Sequence, residues 1–376
     1  MTLPYRPRTA QATVDAPADR ENAPPGQESA HGTAPTDDTT PARETASIED
    51  TTSAHETAST EDTASAPVPH RSWARRRGGL IAAAAVLTGC SLLVIPQLPT
   101  GPRNAGSLLQ TFLPWLGLAV PLLLLMAVVR RSWLAAAAVL VPAVVWASLF
   151  GASMTDKRGT GGDLSVLSHN VSESNRSPGQ TARQLISSGA DLIALQEMAP
   201  EAVPRYQRAL AKTHPYHVVR GGVGLWSSLP LHGGRTVPVM PWPRALRATV
   251  DTPKGPLAVY VAHLASVRVA PDGFAARRRN EAVGRLAAAV RSERASRVVV
   301  AGDMNGSTRD TALRPLTEQL HSAQEEAGAG LGLTWPAEFP LVRIDQILVR
   351  GVTPVSSWTL PRTMSDHLPA AASLRL

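Results

Sequence analysis

The sequence holds a single cysteine, Cys90, in 376 residues, which excludes a disulfide framework and a cysteine-based zinc site. Aromatic residues are sparse at 4%, and they form no run of stacking side chains of the kind that grips single-stranded nucleic acid. No Gly-x-Gly-x-x-Gly opens a helix after a strand, so a dinucleotide-binding fold has no support. Charge of one sign is also missing from the chain as a whole. Residues 1–70 carry 4 Lys/Arg against 12 Asp/Glu, residues 71–158 carry 9 against 1, and residues 159–376 carry 24 against 17. The net charge of +7 therefore describes no single surface, and a uniform basic nucleic-acid binder is excluded.

Residues 1–70 have almost no large apolar side chain and are rich in Thr, Ala, Ser, Pro, Glu and Asp. Such a stretch cannot bury enough surface to offset its chain entropy, so an acidic, disordered, cytoplasmic tail is expected. An acidic heptapeptide occurs twice, as Glu44-Thr-Ala-Ser-Ile-Glu-Asp50 and Glu56-Thr-Ala-Ser-Thr-Glu-Asp62. Two copies do not make a solenoid.

Three uncharged apolar runs follow, at Gly79–Pro96, Leu108–Val129 and Ser132–Phe150. Each is long enough to cross ~30 Å of hydrocarbon as a helix, and a membrane domain over residues 71–150 is expected. Arg71, Arg75, Arg76 and Arg77 precede the first run, Arg130 and Arg131 separate the second from the third, and only Arg103 lies between the first two. Arginine-rich segments stay cytoplasmic, which puts the N-terminus inside and everything after Phe150 outside the cell. Trp115, Trp133 and Trp146 lie near the ends of the runs, where interfacial tryptophans sit. Leu87-Thr-Gly-Cys90 also resembles a lipoprotein cleavage box, leaving lipidation of Cys90 as a competing reading. Lys157, Arg158 and Gly159-Thr-Gly-Gly162 read as part of a short flexible linker over residues 151–162.

From Asp163 the pattern changes to short β-branched runs alternating with helical stretches. Predicted strands are Asp163–His169, Asp191–Gln196, Gly222–Ser227, Arg247–Asp251, Pro256–Leu264, Arg297–Ala301, Ile344–Arg350 and Pro369–Leu374. Predicted helices are Ser177–Ser188, Pro200–Thr213, Gly273–Arg294 and Thr308–Leu320, the third with Ala275, Ala282, Leu286, Ala289 and Val290 near helical spacing. This mixture suggests an α/β sandwich of two facing sheets with helices outside; alternation alone also permits a doubly wound sheet.

Polar and acidic residues cluster at the ends of otherwise apolar strands: Asn170, Glu197, His263, Asp303 with Asn305, Asp345, and Asp366 with His367. Strand ends of a packed sheet converge on one rim, so these side chains can meet. Three or more carboxylates gathered there repel unless a cation joins them. Oxygen ligands without thiols suit Mg²⁺, Mn²⁺ or Ca²⁺ better than zinc.

The motifs Leu-Gln196-Glu197, Ala262-His263-Leu264, Gly302-Asp303-Met-Asn305, Arg343-Ile-Asp345-Gln-Ile347 and Ser365-Asp366-His367 resemble those of the endonuclease/exonuclease/phosphatase superfamily. The resemblance covers residues 163–376 and implies a four-layer α/β sandwich with metal-dependent phosphoesterase activity using Mg²⁺ or Mn²⁺. It further implies that Glu197 and Asp366 hold the metal, with Asn170 completing that rim. Asp303 would orient or deprotonate the attacking water, and Asn305 would position the water and the phosphate. His367 would contact a phosphoryl oxygen, with Asp345 fixing its tautomer, and His263 would be a further phosphate contact or an acid for the leaving group. Three spans followed by such a domain are similar to the VanJ-type teicoplanin-resistance membrane proteins. That likeness implies action on undecaprenyl pyrophosphate, with the membrane and a phosphorylated lipid as partners. A nuclease using the same site is the alternative, with nucleic acid as its substrate. A catalytically silent scaffold is disfavoured, because all five motifs keep chemically competent side chains. Arg277, Arg278 and Arg279 read as a solvated helix face, with an anionic lipid or pyrophosphate contact as the other possibility.

Overall fold

The computed structural model describes residues 71–99, 105–267, 269–270, 273–274 and 276–376. The expected acidic tail, Arg103 and Ala275 lie outside the described residues.

The first elements are helical: α1 (Arg71–Val94), α2 (Ala105–Thr111), α3 (Ala119–Val129) and α4 (Trp133–Met154). Among the described residues, two helices are long and apolar enough to cross a membrane, Gly78–Gln97 and Trp133–Met154. Leu108–Val129, expected as one span, is divided. Its first residues belong to α2, the chain turns at Phe112, and a 3-10 turn over Leu113–Leu118 leads into α3. Proline in the first turn starts this new segment, while the buried Ser107 and Gln110 of α2 bond to residues far along the chain. Cys90 lies exposed within α1, which continues past it to Val94.

Helices α1 and α4 run parallel, for Gly78 abuts Ser132, Gly89 abuts Val141, and Leu92 packs with Phe150. Helix α3 lies antiparallel to both: Ala127, near its end, shares a cluster with Ile81 and Ala135, whereas Gly117, before its start, meets Trp146. The arginine-bearing ends of these helices therefore lie together, opposite the end from which the following domain departs.

That domain contains β1 (Leu164–Asn170), α5 (Pro178–Ile186), β2 (Leu192–Gln196), α6 (Val203–Leu210), β3 (Tyr216–Arg220), β4 (Val223–Ser227), β5 (Leu231–Thr236), β6 (Ala245–Thr252) and β7 (Gly255–His263). There follow β8 (Val269–Ala270), β9 (Gly273–Phe274), α7 (Arg277–Arg291), β10 (Val298–Asp303), α8 (Arg314–Thr317), β11 (His321–Ser322), α9 (Ala323–Ala327), β12 (Asp345–Arg350), β13 (Thr353–Thr359) and β14 (Ala370–Arg375). Two mixed six-stranded sheets form, ordered β13-β14-β1-β2-β4-β3 and β11-β12-β10-β7-β6-β5. They face each other across Val166, Leu192, Ala194 and Leu225 on one side and Val259, Val261, Val299 and Ala301 on the other. Alternate residues point outward. Leu167, Ile193 and Leu195 pack under α5 and α6, while Tyr260 and Val300 pack under α7 and α8. Central strands buried on both faces read as continuous apolar runs, and the four layers rule out the doubly wound alternative.

Among the described residues six strands escaped the pattern: the two-residue β8, β9 and β11, and the longer β3, β5 and β13. β3, β5 and β13 sit on sheet edges with largely exposed or half-exposed side chains, so their strand character comes from pairing and not from an apolar face. Predicted helix Gly273–Arg294 begins only at Arg277, because Gly273–Phe274 pairs with Val269–Ala270. The expected flexible linker is bonded down instead: the amides of Lys157, Gly159 and Asp163 donate to the carbonyls of Gly328, Val355 and Leu374 at 3.2, 2.7 and 2.8 Å.

Candidate active site

Register assembles the site. In the second sheet Asp303, the last residue of β10, pairs with His263 of the parallel β7 on one side and Asp345 of the antiparallel β12 on the other. In the facing sheet Asn170 ends β1 beside Gln196 of β2, which puts Glu197 just beyond the same rim. The amide of Asn170 crosses between the sheets, donating from Nδ2 to Asp303 Oδ2 at 3.1 Å. The glycine before Asp303 is required: Gly302 has φ 155°, and a Cβ there would lie 1.9 Å from the Ala262 carbonyl oxygen.

Three N–H groups converge on Asp303 Oδ2. Besides Asn170 at 3.1 Å they are His263 Nε2 at 3.8 Å and His367 Nε2 at 3.9 Å, the last two too far for direct hydrogen bonds. The other oxygen, Oδ1, accepts from the backbone amide of Asn305 at 2.9 Å. Asn305 itself stands in left-handed backbone, φ 48°, with its Nδ2 donating to the Leu264 carbonyl at 3.0 Å.

The two histidines are held in opposite states. His367 Nδ1 donates to Asp345 Oδ2 at 2.8 Å in a buried pair. Burial works against its charge, but Asp345, then Asp303 and Asp366, prevail and raise its pKa to about 10. His263 Nδ1 accepts from the Arg244 guanidinium, so Nε2 carries its proton. Burial, then Arg244 and His367, hold its pKa down to about 3. Asp303 is pushed up to about 7, first by burial and then by Asp345, against the pull of His367 and its hydrogen bonds. A carboxyl group near neutrality, ringed by donors and positioned from both sheets, has the attributes of a general base.

Asp303, Asp345 and His367 offer ligand atoms within 4.8 Å of one another. His367 commits Nδ1 to Asp345, and its charged ring has no free lone pair, so the trio works better as a histidine–carboxylate pair beside a base than as a metal cage. Asp345 Oδ1 is nevertheless buried without a hydrogen-bond partner. The carboxylate of Glu197 is half-buried in left-handed backbone, φ 57°, and forms no hydrogen bond or ion pair among the described residues. Asp366 is exposed and accepts from Trp335 Nε1 at 3.3 Å. This oxygen-only donor set fits a hard divalent cation. Asn170 fits the metal less well than expected, because its Oδ1 already accepts from the Ser172 amide at 3.0 Å and its Nδ2 is spent on Asp303.

The sequence motifs included neither Arg244 nor Thr334 and gave Ser365 no role. Ser365 Oγ donates to the Asn170 carbonyl at 2.7 Å and accepts from the His367 amide at 3.1 Å, tying both sheets' rims together. Thr334 Oγ1 accepts from the Asp345 amide at 3.3 Å. Arg244 sits outside any motif, and only its register neighbour Ala245, opposite Ala262, brings it to His263. Of the histidines given no role, His169 and His214 are buried against Thr363 and the Ala190 carbonyl, the former near enough to His367 to feel its charge, and His232 and His321 pair with acids on the surface. His217 stacks on Trp226.

Residues 167–367 match the profile of the Endonuclease/Exonuclease/phosphatase family. That is more than half of the chain, and the protein belongs to this family, whose members are hydrolases acting on phosphoester bonds. The uncharacterized protein YbhP of Escherichia coli (strain K12) is 36% identical over 85 residues, 21% of this chain and 33% of YbhP. The chain thus spans about a third of the length of the curated relatives it matches. Among solved structures, mannosyl-6-phosphatase Bt3783 of Bacteroides thetaiotaomicron aligns with TM-score 0.49 and 14% identity, over 57% of this chain and 100% of that one. Humanized TDP2 of D. rerio aligns at 0.47 and 20%, over 57% and 99%. Sphingomyelinase C of Streptomyces griseocarneus aligns at 0.44 and 18%, over 57% and 99%.

Proposed function

We propose that this protein is a membrane-anchored, divalent-metal-dependent phosphohydrolase whose catalytic domain faces the cell exterior and acts on a lipid-linked pyrophosphate such as undecaprenyl pyrophosphate. The observation that carries the chemistry is the convergence of Asn170, His263 and His367 on one oxygen of Asp303, with Asp345 behind His367. Asp303 takes the proton of the attacking water while Asn305 positions that water. His367, cationic through Asp345, donates from Nε2 to a phosphoryl oxygen as negative charge spreads over it. His263, neutral and with Nε2–H facing the same point, is a second phosphate donor. Glu197 and Asp366 would hold a divalent cation, which would supply Lewis-acid polarisation of the phosphoryl group.

Three observations support the membrane reading. The arginine-bearing helix ends lie together at the end away from the catalytic domain, as the positive-inside rule requires of an external domain. The helical stretch Leu113–Val129, six residues of 3-10 and eleven of α-helix, is roughly 28 Å long, near the thickness of the hydrocarbon core. Trp115 Nε1 donates to the Leu341 carbonyl at 2.8 Å, and Trp335, bridged to Val342 in the same loop, donates to Asp366. The rim of the site is therefore one loop away from the helix ends. The lipid assignment itself rests on this placement and on the resemblance to VanJ-type proteins.

The nuclease reading draws on Trp335 and Phe339, 38% and 69% exposed in the loop that contacts Asp366, which offer faces for base stacking. Purified full-length protein in detergent decides between them. It is given undecaprenyl pyrophosphate or DNA, each with Mg²⁺ or chelator, beside Asp303→Ala and His367→Ala. Metal-dependent phosphate release from the lipid alone, lost in both variants, is the expected result; nicked DNA with untouched lipid overturns the substrate assignment. A cytoplasmic C-terminus in reporter fusions would sink the lipid-carrier reading.

A further inference from the structure

We propose that Arg279 is a positioning residue for Asn305, and that Ser107, from the connection between the apolar helices, completes its setting, making the helical part of the chain a component of the active site. Sequence pattern assigned the arginine triplet to a solvated face. Arg277 and Arg278 are indeed exposed, but Arg279 is 1% exposed and among the largest fully buried side chains.

Every donor of Arg279 that reaches a partner helps define one small structure. Nη1 donates to the Asn305 carbonyl at 2.8 Å, and Nε donates to Asn280 Oδ1 at 2.7 Å. Nη2 donates to both Asp310 Oδ2 and Ser107 Oγ at 2.7 Å, and the Ser107 hydroxyl donates in turn to Asp310. Gly306 makes room, since a Cβ there would overlap the guanidinium.

Asn305 needs this support. Its left-handed backbone costs of order 1–3 kcal/mol unless neighbours fix it. Its amide is bound to Asp303 and its side-chain Nδ2 to Leu264, so Arg279 holds the remaining backbone polar group, the carbonyl. The arginine's own geometry depends in turn on a serine 172 residues earlier in the chain. Helix α2 is seated firmly enough for this role, because Gln110 Oε1 accepts from the Thr311 amide at 2.9 Å and Gln110 Nε2 donates to the carbonyls of Ile95 and Leu98 at 3.0 Å each.

Arg279→Ala would strand the Asp310 carboxylate in the interior and risk unfolding, so Ser107 is the better probe. Full-length Ser107→Ala, Ser107→Thr and, as control, the exposed Arg278→Ala are compared with wild type. The readouts are amide hydrogen exchange over residues 304–310 and the kinetics of bis(p-nitrophenyl) phosphate hydrolysis with Mg²⁺. Ser107→Ala is expected to exchange about fivefold faster in that segment while the central strands stay protected. Its kcat should fall about tenfold with KM within twofold, as for a displaced catalytic group. Ser107→Thr, which restores the hydroxyl, should return both toward wild type, and Arg278→Ala should change neither. Unchanged exchange in Ser107→Ala overturns the proposal, as does equal impairment of the Ala and Thr variants, which would assign the effect to packing. The kinetic arm rests on the phosphohydrolase reading. A wild type that hydrolyses no phosphoester would count against that reading, and the exchange arm would still decide this one.

Discussion

Asp345→Asn isolates one charge. Asparagine keeps the shape of the side chain, and its Oδ1 can still accept from His367 Nδ1, so the ring stays oriented. What disappears is the anion that contributes most to raising His367 from 6.5 to about 10 against the effect of burial. With only Asp303 and Asp366 left to favour the imidazolium against burial, the His367 pKa falls well below its wild-type value. The wild-type ring therefore stays charged to higher pH than the variant ring. Losing a cationic donor aimed at a phosphoryl oxygen should lower kcat by roughly 10²–10³. The assay is kcat/KM for bis(p-nitrophenyl) phosphate against pH with saturating Mg²⁺. Wild type should lose activity below about 7, as Asp303 takes up its proton, and above about 10, as His367 releases one. In Asp345→Asn the alkaline limb should move to clearly lower pH, and the acid limb should also move down, since Asp345 is the second cause of the raised Asp303 pKa. An alkaline limb that stays near 10 in the variant would refute the assignment of His367 as the cationic donor.

Glu197→Gln should raise the Mg²⁺ concentration for half-maximal activity at least tenfold while leaving the melting temperature in chelator unchanged, because its carboxylate has no partner to lose among the described residues. Gly302→Ala should destabilise by about 4 kcal/mol or more, for the added methyl lies 1.9 Å from the Ala262 carbonyl oxygen; a melting temperature within a few degrees of wild type would contradict the φ of 155°. Stability in chelator should fall as pH rises from about 7 to about 10. The folded state holds the His367 proton up to about 10 where the unfolded chain releases it near 6.5, whereas below that window the lowered His263 and His169 oppose the raised Asp303. Thermal melts across that range should show the decline, and Asp345→Asn should flatten it.

Strand ends were legible because chemistry interrupts apolar runs there. Val298-Val-Val-Ala-Gly-Asp303 announces both a buried strand and the residue at its mouth, and the same holds for Asn170 and His263. Register then did what no motif states, placing His263 and Asp345 on either side of Asp303. Residues that serve the site from outside a strand end were not legible. Arg244 approaches His263 from a loop, and Arg279 looked like its two exposed neighbours because burial of a long cation is decided by Asp310, Ser107 and the Asn305 carbonyl, none of them near it in sequence. The edge strands were missed because pairing, not hydrophobicity, defines them. The apolar runs were found, but the break within Leu108–Val129 depends on α2 docking onto the catalytic domain.

The seam between helices and domain has a kinetic consequence. Arg309 donates to the Leu149 carbonyl at 2.6 Å and lies over the Phe150 ring, Trp115 binds Leu341, Gln110 binds Thr311, and the intervening chain is bonded down along its length. A domain attached in this way does not sweep a sphere at the end of a leash. On the proposed reading, with the helices in a bilayer and a lipid as substrate, the site would be fixed at one height and one tilt, and encounter would become a search in two dimensions. The rate would then follow the mole fraction of substrate among the surrounding lipids, so that adding inert lipid should slow turnover at constant bulk substrate.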